Sequence, residues 1–197
     1  MPYDAEATRA RIFEAATREF AEHGVAGARV DRIAARAQAN KASIYAYFGD
    51  KEQLFGAILE RKLGELADAV ALDPARVPDY VGELFDFHLA HPEVIRLLAH
   101  ETLRYAEEPV PREDERASHY RAKADALAGA QAAGQVDADL DPRHLVIILT
   151  GLVGWYFSTP QVARMLLADP ADPAGIAAYR ASAVEAARRI IAPATRR

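Results

Sequence analysis

The chain has 197 residues, of which 51% are apolar, so one domain or two small ones can bury a real core. It carries 24 basic and 29 acidic residues for a net charge of −5, which argues against indiscriminate nucleic-acid binding. With no cysteine there is no disulfide, thiolate metal site or cysteine nucleophile, a composition that fits a reducing compartment.

The opening MPYDAEATRAR lacks the apolar stretch of a signal peptide. The spacing then predicts a helix over 4–23, with Ile12, Phe13, Ala16 and Phe20 on one face and Gly24 as its stop. Residues 24–51 read GVAGARVDRIAARAQANKASIYAYFGDK. Within them, 29–37 is a short helical pattern with Val30, Ile33, Ala34 and Ala37 inward. The polar turn Gln38-Ala39-Asn40 follows, and Asn40 is a good N-cap for a second short helix over 41–47. That helix has room for about two turns. Ile44 and Phe48 face inward from it, against Ile12, Phe20, Ile33 and Leu54 in a three-helix core. Two short helices packed steeply make a helix-turn-helix, whose second helix can enter the DNA major groove.

On that second helix Lys41 offers a point charge to the DNA backbone, and Ser43 can reach a base edge or a phosphate. Tyr45 and Tyr47 can bond phosphates with their hydroxyls, or their rings can seal the small core. Ala42 and Ala46 are small enough for close approach to the groove, or they simply favour the helix. Asn40 can add a phosphate contact to its capping role. From 29 to 51 there are five basic residues (Arg29, Arg32, Arg36, Lys41, Lys51) against Asp31 and Asp50, a local charge of +3. A compact basic face on an acidic protein fits specific docking on DNA.

The same residues carry a family resemblance. Ile33-Ala34, Ala37, the Tyr45-Ala46-Tyr47-Phe48 run and the Lys51…Leu54 pair resemble the DNA-binding domain of tetracycline-repressor (TetR) family regulators. The resemblance covers about the first quarter of the chain, and beyond it only the helical plan matches. The chain departs from the family pattern at three places. Gln38 stands where a turn glycine is usual, Ala42 where a second glycine is common, and Ala28-Arg29 where a Thr/Ser pair often caps the first helix and touches phosphate. Gln38 must therefore make the turn without glycine's freedom, and Arg29 can replace the hydroxyl contact by charge. The resemblance assigns Lys51 to a phosphate; as a bare sequence feature it is a solvated lysine.

Asp50 and Gln53 form a capping box for a helix running from 51 to about 70, with Phe55, Ile58, Leu59, Leu63 and Leu66 as its apolar stripe. Residues 72–78 break the pattern with two prolines. Helices follow over 79–90 and 93–105, then a charged loop over 107–115 and a helix over 116–133 ended by Gly134. Asp141 caps and Pro142 opens a helix to about 159 that is apolar nearly all round. Such a helix needs cover on two sides. The last helix, 173–191, offers Ile176, Tyr179, Ala183, Ala187 and Ile190. Together with Leu145, Ile148, Leu149 and Leu152, these residues are expected to form a four-helix homodimer interface, unless both helices are the core of a monomer. No strand-like alternation appears.

The six histidines include no HExxH or comparable metal signature, and no phosphate loop or nucleophile elbow is present. An enzyme is therefore not expected, and no cofactor is implied. The expected fold is all-α. Residues 1–52 form a helix-turn-helix DNA-binding domain, and residues 53–197 a helical ligand-binding and dimerisation domain, linked by the helix over 51–70. Phe85, His88, Glu101, Tyr105, Tyr120 and Trp155 supply the mixed aromatic and polar lining of a small-molecule pocket. The resemblance implies a cytoplasmic bacterial protein brought to the nucleoid by DNA binding. The expected function is a homodimeric repressor that binds a palindromic double-stranded operator and is released by a small organic effector. The alternatives are a regulator that needs its ligand to bind DNA and a helical ligand-binding dimer that does not bind DNA.

Overall fold

The computed structural model describes residues 5–167 and 172–193. Among the described residues there are ten α-helices and no strand. They are α1 (Ala5–Gly27), α2 (Val30–Ala37), α3 (Lys41–Phe48), α4 (Lys51–Ala69), α5 (Val77–Ala90), α6 (Pro92–Arg104), α7 (Glu113–Ala132), α8 (Pro142–Ser158), α9 (Pro160–Leu166) and α10 (Pro173–Ile191). A short 3-10 turn, Pro74–Arg76, precedes α5. The start expected at Asp4 lies outside the described residues.

Compactness divides the chain into two units, and the division is not the single cut at 52/53. One unit holds the described residues up to Leu66 together with Pro92–Pro111; the other holds Ala67–His91 and the described residues from Arg112. The reason is Leu97 of α6, fully buried in the same core as Ile12, Ala16, Phe20, Ile33, Ile44, Leu54, Phe55 and Ile58. Phe20 and Phe55 meet edge to face there at 5.4 Å. Phe13, Tyr47 and Phe48 pack on the rim of this core.

Gly24 stops the regular part of α1, as its position predicts, with φ 62 and ψ −178, and one further turn carries the helix to Gly27. A side chain at 24 would also collide with His100, whose Nδ1 lies 2.7 Å from where a Cβ would stand. Glycine is thus required at 24 by conformation and by space.

In the second unit α5 packs against α8 and α10, and α7 against α8. Phe85 is fully buried among Tyr156, Phe157 and Tyr179, with ring centres 5.5, 5.0 and 5.9 Å away. Tyr156 stacks on Tyr179 at 4.4 Å. Arg180 of α10 grips Asp86 of α5 with two bonds of 2.7 Å. Proline stands in the first turn of α5, α8, α9 and α10, and α6 begins at Pro92. None of the first four helices has one.

Two elements depart from the sequence expectation. The helix α7 starts at Glu113, inside the expected loop, because Glu113, Asp114 and Glu115 suit the positive end of a helix. The short α9 has no counterpart in the sequence expectation; Pro160 opens it after a bend of 81° from α8. No single helix among the described residues is long and apolar enough to cross a membrane.

The expected interface also changes. Leu145, Leu149, Ala183 and Ala187 are buried within the unit itself, so they belong to its own core and are not free to meet a partner. The apolar side chains α8 leaves to solvent are Ile147 (69% exposed), Ile148 (39%) and Trp155 (62%). Ile147, Gly151 and Trp155 fall at four-residue spacing on one face with Ile148 beside them, rotated from the expected stripe. Leu152, Ile176, Tyr179 and Ile190 are half-buried.

Candidate nucleic-acid interface

The turn between α2 and α3 is built by a residue that is not glycine. Gln38 takes φ 51 and ψ 43, the left-handed cap of α2, and its N–H reaches back to the carbonyl of Ala35 at 3.3 Å. Ala39 N–H donates to Ala34 at 3.0 Å. The turn is thus made in the left-handed conformation without glycine, and its cost falls on Gln38.

Asn40 caps α3 by accepting from the Ser43 N–H at 2.7 Å. Ile44 is buried to 1% exposure, which fixes the rotation of α3. Lys41, Ala42, Tyr45 and Ala46 consequently face outward, at i, i+1, i+4 and i+5. Tyr45 is half exposed, whereas Tyr47 is partly buried and packs on the core and on Phe48. The two tyrosines therefore differ: Tyr45 stands in solvent, and the Tyr47 ring takes the sealing role. Ser43 is half-buried.

Lys41 is ion-paired with Asp31 of α2, and that carboxylate holds its ammonium above the usual lysine range. Lys51, in the first turn of α4, donates to the carbonyl of Ala28 at 3.3 Å. Its helix begins in the expected capping box: Gln53 N–H donates to Asp50 Oδ1 at 2.8 Å, and Asp50 N–H donates to Gln53 Oε1 at 2.9 Å. Gly49, with φ 74, leaves space for that box, since a Cβ there would stand 1.9 Å from Gln53 Oε1.

The sequence reading missed the residue that holds the front of α2. Arg29 is its N-cap and supplies no side-chain cap. Glu19 of α1, only 1% exposed, accepts instead on Oε1 from the Arg29 N–H at 2.9 Å and from Arg32 Nε at 2.7 Å. Burial works to raise the Glu19 pKa; the Arg32 guanidinium and the Arg29 N–H outweigh it and hold the carboxyl below its usual range. A signal existed in the sequence. A carboxylate lies one residue from Phe20, beside an apolar stripe, in a chain whose α2 lacks the usual hydroxyl cap.

The six expected pocket residues do not form one group. Glu101 and Tyr105 belong to the first unit, where Tyr105 donates to Glu52 at 3.3 Å. Tyr120 is half exposed on α7. Phe85 and His88 lie in the aromatic cluster of the second unit, His88 against Phe157 at 5.8 Å. His88 Nδ1 and Thr150 Oγ1 are buried with no hydrogen-bond partner. Trp155 is on the wall of a cavity of about 100 Å³ bounded by α8, α9 and Tyr179.

Comparison with known proteins bears on both halves. The family described as bacterial regulatory proteins, tetR family, matches residues 12–58, and the tetracyclin repressor-like C-terminal domain matches residues 76–189. The HTH-type transcriptional repressor SCO4008 of Streptomyces coelicolor is 44% identical over 95% of this chain and 97% of its own length. The HTH-type transcriptional repressor NicS of Pseudomonas putida is 30% identical over 85% of this chain and 84% of its own. The crystal structure of the transcriptional regulator SCO4942 from Streptomyces coelicolor superposes with a TM-score of 0.83 at 38% identity, covering 93% of this chain and 98% of that one.

Proposed function

The chain belongs to the TetR family of DNA-binding transcriptional regulators, which is not an enzyme family, and from that premise we propose that it acts in the cytoplasm as a homodimeric repressor relieved by a small organic effector. The observation that carries the DNA half is the rotation of α3. Ile44 is locked into the core, and Lys41, Ala42 and Tyr45 are turned to solvent as a recognition surface. Arg29, Asn40, Ser43 and Lys51 flank that surface and supply its phosphate contacts, with Lys41 exchanging Asp31 for a phosphate on docking. Tyr47 positions α3 from behind. A single short recognition helix reads few base pairs, so two related by a twofold axis read a palindrome with half-sites about 34 Å apart.

The exposed apolar face of α8 supports the homodimer, with Ile147, Ile148 and Trp155 rather than Leu145 and Leu149 at its centre. The unpartnered His88 Nδ1 and Thr150 Oγ1 support an effector site in the second unit, with Phe85 as its aromatic floor. His88 is held neutral, since burial and the neighbouring His91 push its pKa down to about 4. A neutral, aromatic effector carrying a hydrogen-bonding group suits that lining. Its binding shifts the population away from the DNA-binding arrangement by a coupling of about 1–3 kcal/mol.

Selection from a random duplex pool with the full chain tests this reading. A palindrome with half-sites one turn apart, whose binding disappears in Lys41→Ala plus Tyr45→Ala, is the expected result. No enrichment from folded dimeric protein, with or without a metabolite mixture, overturns it; enrichment only with the mixture replaces release by recruitment.

A further inference from the structure

The two ends of α2 are each held by α1. At the front, Glu19 takes the Arg29 N–H and the Arg32 side chain; its other oxygen, Oε2, is buried and unbonded, so Oε1 carries every contact. At the back, Arg11 Nε donates to the carbonyl of Ala37, the last residue of α2, at 3.1 Å. Arg11 is itself steadied by Nη2 on Thr8 Oγ1 at 3.0 Å, and Thr8 is buried. The signs match the helix ends: a carboxylate sits at the amide end, and a guanidinium at the carbonyl end. The helix between them has only eight residues, too few to persist by its own propensity.

We propose that Glu19 and Arg11 are positioning residues for DNA recognition, a two-point charge clamp by which α1 sets the orientation of α2 and, through the Gln38 turn, of α3. The carboxylate replaces, from another helix, the hydroxyl cap that Arg29 does not supply. Glu19 is buried and acts through α2, and Arg11 acts on the same helix through its bond to Ala37. They decide operator discrimination, while bulk affinity is left to the exposed cations.

The test uses the full chain and two duplexes, the one recovered by selection and a scramble of the same length, across a salt series. In Glu19→Ala the ratio of operator to scramble affinity falls about tenfold, the size of a lost cap, and the scramble arm stays within about threefold. Arg11→Ala gives a smaller fall in the same ratio, and Arg11→Lys restores most of it. Adding Arg29→Ser, which supplies a local hydroxyl cap, makes the Glu19→Ala loss smaller than it is with Arg29 in place. A purely structural role lowers both duplex affinities by one common factor and leaves the two substitutions additive, and either result overturns the clamp. Glu19→Gln, which keeps an acceptor for the Arg29 N–H, gives a folded comparison should Glu19→Ala fail to fold. It is read by the same ratio, for which an unchanged value overturns the proposal.

The clamp rests on α3 being the recognition helix, but amide exchange needs no operator. Protection in α2 and α3 falls about tenfold in Glu19→Ala, and by less in Glu19→Gln, while α8 and α10 keep theirs. Unchanged protection in α2 and α3 overturns the clamp even where selection succeeds. Lost protection with failed selection leaves the clamp standing and removes the repressor reading.

Discussion

The two units hold their helices by different means. In the first, α2 and α3 have eight residues each, and their ends are tied by polar bonds: Glu19, Arg11, the Gln38 turn, Asn40 and the Asp50–Gln53 box. In the second, α8 and α10 run to 17 and 19 residues, and large rings close around Phe85. Short helices cannot bury enough apolar surface to fix their own rotation, so directional bonds do it. Long helices bury enough, and their polar ties, such as Arg180–Asp86, lie at the periphery. Direction suits a helix proposed to meet DNA in one pose. Bulk burial suffices where a domain must keep its shape around a cluster of rings.

That contrast is open to attack by substitution. The largest effect is expected from Phe85→Ala, which empties the ring cluster and costs about 3–5 kcal/mol in denaturant unfolding. A loss below 1 kcal/mol would mean that the second unit does not depend on these rings. His88 follows. Its pKa is about 4 when folded and near 6.5 when unfolded, so the unfolded chain binds the extra proton between those values. Stability is therefore full above about pH 6.5 and falls by up to about 3 kcal/mol as the pH drops towards 4. Unfolding midpoints measured across that window should flatten in His88→Leu.

In the first unit the expected costs are smaller and fall on geometry. Gly49→Ala puts a side chain at φ 74 and displaces Gln53 from the capping box, a loss of about 1–3 kcal/mol with weaker DNA binding. Thermal unfolding and a binding titration read the two together. The smallest change is a gain: Gln38→Gly relieves the left-handed cap and raises stability by about 1 kcal/mol. A loss there would show that Gln38 makes contacts beyond its backbone.

The sequence makes the directional unit easier to read in outline than in detail. The periodicity of Ile12, Ala16, Phe20, Ile33 and Ile44 predicts its core, and the Asn40 and Asp50 caps follow from local residue chemistry. Glu19 and Arg11 stay hidden because their partners lie 10 and 26 residues away, beyond any helical repeat. In the second unit the apolar content of α8 is plain, but its rotation is not. With apolar residues on every side, periodicity does not say which of Leu145 and Ile147 turns inward, and only packing against α5 and α7 decides it. The place of α6 with the first unit was equally illegible, because Leu97 has the same spacing whichever core it fills.

The placement of proline has a consequence for the denatured chain. From α5 onward each helix except α7 begins with a ring that fixes one backbone angle whether or not the protein is folded. Each such ring removes conformations the unfolded chain would otherwise sample, by about 0.4–1 kcal/mol where the native angle fits. The stretch from 5 to 73 has no proline, so its helix starts are marked only by bonds that vanish on unfolding. After denaturation the chain from α5 onward keeps a memory of where most of its helices begin, and the stretch from 5 to 73 keeps none.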